Sequence, residues 1–111
     1  MNEQDEVRLR HMLDAAREAL TFAEEHTRED LDTNQMLVRA LSMSIGIIGE
    51  AASKVSPDVQ AAHPDITWPQ IIGMRNRIIH AYFEVNLDIL WDTVTIGLPD
   101  LVTQIENILP G

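Results

Sequence analysis

The chain has 111 residues, no cysteine, and eight Lys and Arg against eighteen Asp and Glu, for a formal net charge of −10. That length supports one domain, 1–111, with a single core. The missing cysteines exclude a disulfide framework and a thiolate metal site and fit a reducing cytoplasm, and the acidic balance excludes a broad electrostatic footprint on nucleic acid.

The opening Met-Asn-Glu-Gln-Asp-Glu is acidic and polar, and the apolar runs are only a few residues long. Neither a signal peptide nor a membrane span is therefore expected. From about residue 6 to 26, Val7, Leu9, Met12, Leu13, Ala16, Leu20 and Ala23 recur at helical spacing among acids and arginines, which predicts an amphipathic helix. Residues 27–34 are polar and read as a loop, with Asp32 or Thr33 as the N-cap of the next helix. That second helix, about 33–55, carries two apolar stripes. Leu37, Leu41, Ile45, Ile48, Ala52 and Val55 form one; Met36, Ala40, Met43, Ile47 and Ala51 form the other. Their combined arc is roughly 200°, where about 100° serves a surface helix, so the helix is central in its bundle or buried at a subunit interface. Gly46 and Gly49 lie on the remaining face, where missing side chains permit close approach of a neighbour.

Ser56-Pro57-Asp58 ends this helix and starts a short helical turn over 59–63, broken by Pro64. Thr67 is placed to cap a third helix, with Pro69 in its first turn. This helix is expected to run through Arg75-Asn76-Arg77-Ile78-Ile79-His80-Ala81-Tyr82. Residues 83–86 connect to a fourth helix, about 87–109, capped by Asn86 and burying Leu87, Leu90, Trp91, Val94, Leu98, Leu101, Ile105 and Ile108. Pro99 is expected to kink it, because the apolar period resumes in phase afterwards. No run alternates with a period of two, so the expectation is an all-α domain: a four-helix bundle with a short extra turn.

Within the third helix, Asn76 and His80 would share a face at i, i+4, and Tyr82 would return to the Arg75 face. His80 would lie about 140° around from Arg75, so a kink or a second copy of the chain is needed to bring them together. Arg75 and Arg77 would make a basic island on an acidic body. Beyond Arg77 there is no Lys or Arg, and the last thirty-four residues hold five acids, predicting an acidic face turned to water or to a basic partner. His11, His26 and His63 have no partner at metal-ligand spacing, so no metal or other cofactor is expected. Taken singly, Arg75 reads as a structural arginine paired with Glu50 or Asp92, His80 as a packed histidine, and Tyr82 as a half-buried aromatic.

Together, the Arg-x4-His-x-Tyr pattern of Arg75, His80 and Tyr82 resembles the motif of the HepT-like toxins, within the HEPN superfamily of small helical ribonucleases. The flanking Ile47-Ile48-Gly49-Glu50-Ala51-Ala52 and Trp68-Pro69-Gln70-Ile71-Ile72-Gly73-Met74 also resemble that family, and the likeness covers nearly the whole chain. It implies a HEPN-like bundle in a two-fold dimer, with both copies of His80 and Arg75 in one cleft. It also implies a partner, a minimal nucleotidyltransferase antitoxin, which in some members adds AMP to the motif tyrosine, here Tyr82.

The residue types suit RNA cleavage. The ribose 2′-OH is an internal nucleophile, so an enzyme has only to move protons and stabilise charge on phosphorus. Histidine exchanges protons near neutrality, and arginine's charged fork suits phosphate oxygens. The expectation is a metal-independent endoribonuclease with His80 as general acid/base, Arg75 as phosphate ligand and Asn76 as orienter. The alternatives are a non-catalytic subunit that binds a nucleotidyltransferase and helps it hold substrate, and a purely structural dimerisation domain, which would leave Arg75 and His80 without a purpose.

Overall fold

The structure, a computed structural model, describes residues 1–80 and 84–110, His80 by its backbone alone. Helix α1, Glu3–Ala23, begins at Asn2, whose side chain accepts the Asp5 N–H at 2.8 Å. Three acids in its first turn, Glu3, Asp5 and Glu6, sit at the positive end of the helix dipole. Val7 was expected in the core but is exposed, while Leu9, Met12, Leu13 and Ala16 are buried. The polar stretch after α1 is a 3-10 turn, Arg28–Asp32, held by a capping box between Thr27 and Asp30. Helix α2, Gln35–Ser53, is capped by Asn34, one residue beyond Thr33 and two beyond Asp32, the expected caps; its side-chain oxygen accepts the Leu37 N–H at 3.0 Å.

The first apolar stripe of α2 is spent in the core. Leu37, Leu41, Ile45, Ile48 and Ala52 are all buried against α1 and α4, where complete burial of each large side chain contributes about 1.5–3 kcal/mol. At 19 residues α2 is long and apolar enough to cross a bilayer, but half of it is buried within the bundle, as befits a core helix. Its second stripe is covered only at Ala51, which is buried, and in part at Ala40: Met36 is 83% exposed, Met43 68% and Ile47 45%.

Ser56 caps the short helix α3, Pro57–Ala62, with Pro57 in its first turn. Ser56 is also tied to the start of the chain. The buried Asp5 carboxylate accepts its backbone N–H at 2.8 Å and its hydroxyl at 2.7 Å. Helix α4, Trp68–Ile78, follows Thr67 as expected, and the Trp68 indole N–H bonds back to the His63 carbonyl at 3.1 Å.

The expected continuation of this helix through Tyr82 is not found. α4 stops at Ile78, Ile79 turns extended (φ −104°, ψ 114°), and strand β1, Ile79–His80, pairs antiparallel with β2, Glu84–Val85. Two successive β-branched isoleucines favour this exit. Ile79 faces Val85 across the ladder, and the Ile78 carbonyl takes the Asn86 N–H at 2.7 Å. These four strand residues are a small addition to an otherwise all-α fold.

Asn86 caps the last helical run, accepting the Ile89 N–H at 3.1 Å. The run comprises α5, Leu87–Asp92, a π-helical stretch, Thr93–Gly97, and α6, Leu98–Ile108. Pro99 has no N–H to give the Thr95 carbonyl, and the chain answers by widening just upstream, where the Leu98 N–H reaches the Thr93 carbonyl five residues back. The backbone keeps helical dihedrals through Gly97 and Leu98, so Leu90, Val94, Leu98, Leu101 and Ile105 stay buried against α1 and its neighbours.

Candidate functional site

Helices α1, α2 and α4 and the paired strands enclose a groove of about 1040 Å³ along the outward side of α2. Its floor and walls are mostly apolar, with Val38, Met43, Ile47, Ile79, Val85 and Leu87 among the lining residues. Into it come four of the chain's eight cations: Arg8 from α1, Arg39 and Lys54 on α2 or just beyond its end, and Arg75 from α4. Two acids join them, Asp32 and Glu50, and both are already engaged, Asp32 with Arg28 at 3.0 Å and Glu50 with Lys54 at 3.3 Å.

Arg75 is exposed, and its side chain lies over Gly46 of α2. A Cβ added to Gly46 would sit 3.7 Å from the Arg75 Cδ, an ordinary contact, whereas anything longer would take the arginine's place. The structural pairing with Glu50 or Asp92 is absent; no carboxylate side chain lies within 4.0 Å of the Arg75 guanidinium among the described residues. Gly49, one turn on, has a different task. Its Cβ would come within 3.2 Å and 3.3 Å of the Ile72 and Ile71 carbonyl oxygens, so it lets the α4 backbone approach α2 closely and thereby seats Arg75.

Asn76 is exposed on α4. Because the helix ends at Ile78, Asn76 and His80 are not an i, i+4 pair on a helical face, and the helical argument placing Tyr82 on the Arg75 face does not hold. His80 enters on β1, two residues past the helix end, in register with Glu84. Its side chain and Tyr82 lie outside the described residues.

The expected island of Arg75 and Arg77 is also corrected. Arg77 folds back along α4, its guanidinium 3.4 Å from the Gln70 carbonyl, and lines a separate groove of about 450 Å³ between α4 and the α5–α6 run, beside Asp65, Asp92 and Asp100. The partners of Arg75 are instead Arg8 and Arg39, which come from other parts of the chain. His11 lines the same groove from α1. The buried Ser42 hydroxyl oxygen beside it has no hydrogen-bond partner among the described residues. No local sequence signal marks Arg8, His11 or Arg39; only the packing of α1 on α2 brings them to Arg75. Among the described residues no three His, Asp or Glu side chains are grouped as metal ligands would be.

Comparison with known proteins places this architecture among small helical nucleases. The family model described as "Ribonuclease HepT-like" matches residues 12–108. "Putative RNase TTE0752" of Caldanaerobacter subterraneus subsp. tengcongensis is 38% identical over 81 residues, covering 73% of this chain and 72% of that protein. "Probable ribonuclease HepT" of Thermococcus cleftensis is 37% identical over 99 residues, 82% of this chain and 86% of its own. No solved structure matches this chain significantly. The chain belongs to the HepT-like ribonuclease family.

Proposed function

We propose that this protein is a metal-independent endoribonuclease, the toxin of a toxin–antitoxin pair, that cuts RNA by attack of the ribose 2′-OH on the adjacent phosphate. The observation that carries the reading is Arg75: exposed, without a carboxylate, laid over Gly46 at the floor of a groove, and five residues ahead of His80 in a chain of a ribonuclease family. An arginine held in this way is available to a phosphate, and its fork donates to two oxygens at once.

In the proposed reaction His80 accepts the 2′-OH proton. The 2′-oxygen bonds to phosphorus, the bond from phosphorus to the 5′-oxygen breaks, and a protonated histidine returns a proton to that leaving oxygen. The products are a 2′,3′-cyclic phosphate and a 5′-hydroxyl. Arg75 neutralises the charge that builds on the phosphoryl oxygens, worth about 10²–10³-fold for one such donor. Asn76, exposed on the same helix end, orients the phosphate or the imidazole. The chain's own side chains supply each proton and charge, so no step calls for a metal.

The base and acid must be different histidines at any one moment, and a two-fold dimer provides two. Support for a dimer comes from α2. Met36, Met43 and Ile47 form an exposed apolar stripe beside the groove, larger than an isolated helix face should leave in water. A second copy covering it would bring two Arg75 grooves side by side. The proposed partner is a nucleotidyltransferase antitoxin, acting by adding AMP to Tyr82 or by masking the groove. An AMP phosphodiester near Arg75 would compete for the charge that RNA needs.

The test is cleavage of a mixed single-stranded RNA in EDTA by the wild type and by His80→Ala. Cleavage by the wild type alone, with cyclic phosphate ends, supports the mechanism. No cleavage by a dimer shown by mass to carry nothing on Tyr82 would favour a nucleotidyltransferase-binding subunit instead.

A further inference from the structure

The fate of each cation in the fold separates the groove from the rest of the surface. Arg10 is paired with Glu6 at 3.0 Å, Arg17 with Glu106 at 2.6 Å, Arg28 with Asp88 at 2.6 Å and Asp32 at 3.0 Å, and Lys54 with Glu50 at 3.3 Å. Among the described residues, Arg8, Arg39, Arg75 and Arg77 have no carboxylate side chain within 4.0 Å. Three of these four line the one groove. In a chain with more than two acids for every base, three arginines without a carboxylate of their own leave this groove locally positive. An anion entering it meets that local potential.

Arg39 and Arg75 are spaced along α2 rather than clustered. Arg39 precedes Gly46, the residue under Arg75, by seven positions on α2. Two turns apart on the same side, they stand roughly 10 Å apart along the helix axis. Arg8 lines the same groove from α1. An anion of one charge would need one such group. A row of them fits a polyanion with regularly spaced charges.

We propose that Arg39 and Arg8 form a phosphate track that carries the RNA strand to Arg75, binding the backbone phosphates next to the one that is cut. This rests on the ribonuclease reading above and extends it to residues outside the Arg-x4-His-x-Tyr motif. The half-buried Ile79, Val85 and Leu87, which line the groove outside the stripe given to the second copy, offer unpaired bases a surface to lie on, so the track takes a single strand. Arg8 and Arg39 are positioning residues: they set affinity and register, and the chemistry stays with Arg75 and His80.

The experiment measures binding of a fluorescein-labelled single-stranded oligonucleotide, 2′-O-methylated to block cleavage, as a function of salt. It also measures cleavage kinetics on the unmodified RNA. The dimer is used as purified, comparing wild type, Arg8→Ala and Arg39→Ala with the surface controls Arg10→Ala and Arg17→Ala. The track predicts that Arg39→Ala weakens binding roughly tenfold at 0.1 M salt, as expected for a lost charged hydrogen bond. It also predicts a salt slope lower by about 0.7 for each lost contact. KM rises while kcat changes by less than about twofold. A merely structural arginine would not move the salt slope. Arg39 is exposed, so it decides the matter if the half-buried Arg8→Ala variant loses its fold.

If Arg8→Ala and Arg39→Ala behave like Arg10→Ala while the wild type cleaves, the track is wrong and the ribonuclease reading stands. Binding that depends on both arginines without any cleavage would keep the track and sink the ribonuclease reading. A wild type that neither binds nor cleaves overturns both.

Discussion

Arg75 and Arg77 stand two residues apart on one short helix and end in different electrostatic worlds. Arg75 lies over Gly46 in a groove where Arg8 and Arg39 are also free of carboxylates. Arg77 bends back to the Gln70 carbonyl and lines a smaller groove with Asp65, Asp92 and Asp100, next to the π-helical stretch. The contrast teaches that a net charge of −10 describes neither face. Three acids line the Arg77 groove beside one cation, whereas four cations outnumber two acids in the Arg75 groove, and anion binding follows the local balance over about a Debye length, not the sum.

The strongest way to sharpen that comparison is to disturb the apolar stripe beside the Arg75 groove. Met43→Asp puts a carboxylate where a second copy is proposed to pack. It should give a folded monomer at micromolar concentration with cleavage reduced by about 10²-fold or more, since small misplacements of catalytic groups already cost that much. Sedimentation beside the cleavage assay checks both halves, and a monomer that cleaves normally would remove the need for a dimer.

Next in size are two substitutions that bear on how α4 presents its arginines. Gly49→Ala presses a methyl against the Ile71 and Ile72 carbonyls at 3.2–3.3 Å and should cost about 1–3 kcal/mol through forced backbone shifts. Urea denaturation measures it, and an unchanged midpoint would show that α4 is free to retreat. Asp5→Ala strands the Ser56 N–H and hydroxyl, neither residue lining the groove, and should cost a similar 1–3 kcal/mol, while cleavage per folded molecule stays as it was. The Ser56 N–H, then its hydroxyl, hold the Asp5 carboxyl below its ordinary value of 3.8. A group whose folded pKa is depressed stabilises above the unfolded value and loses that contribution as pH falls through the folded one. The Asp5 share should therefore be intact at pH 5 and above and fade only below about 3.8, a loss missing from the Asp5→Ala variant. The smallest effect has the opposite sign. Gly46→Ala meets Arg75 at an ordinary 3.7 Å and should stabilise α2 by about 0.5–1 kcal/mol through helix propensity, with cleavage nearly unchanged.

Much of this was legible from residue order. The apolar period of α2 announced both the buried Leu41, Ile45 and Ile48 and an excess of apolar surface, which the fold leaves on Met36 and Met43. Asn86 caps the last helical run as its residue type suggests, whereas Thr67 stands at the start of α4 without a side-chain capping bond. Two things were hidden. The end of α4 was one, because Ile78-Ile79 fits a helical period as well as a strand, and only the pairing of Ile79 with Val85 decides between them. The company of Arg75 was the other. Arg8 and Arg39 are far away in sequence, and whether an arginine is neutralised depends on carboxylates that packing brings to it, as Asp88 comes to Arg28 across sixty positions.

The central claim is that the Arg75 groove, and not the Arg77 groove, is where RNA is cut. It is tested most directly by comparing Arg75→Ala with Arg77→Ala in one cleavage assay at equal folded concentration. The account predicts that Arg75→Ala loses about 10²–10³-fold in kcat, while Arg77→Ala stays within a few-fold of the wild type. Equal losses from the two substitutions, or a larger loss at Arg77, would contradict it.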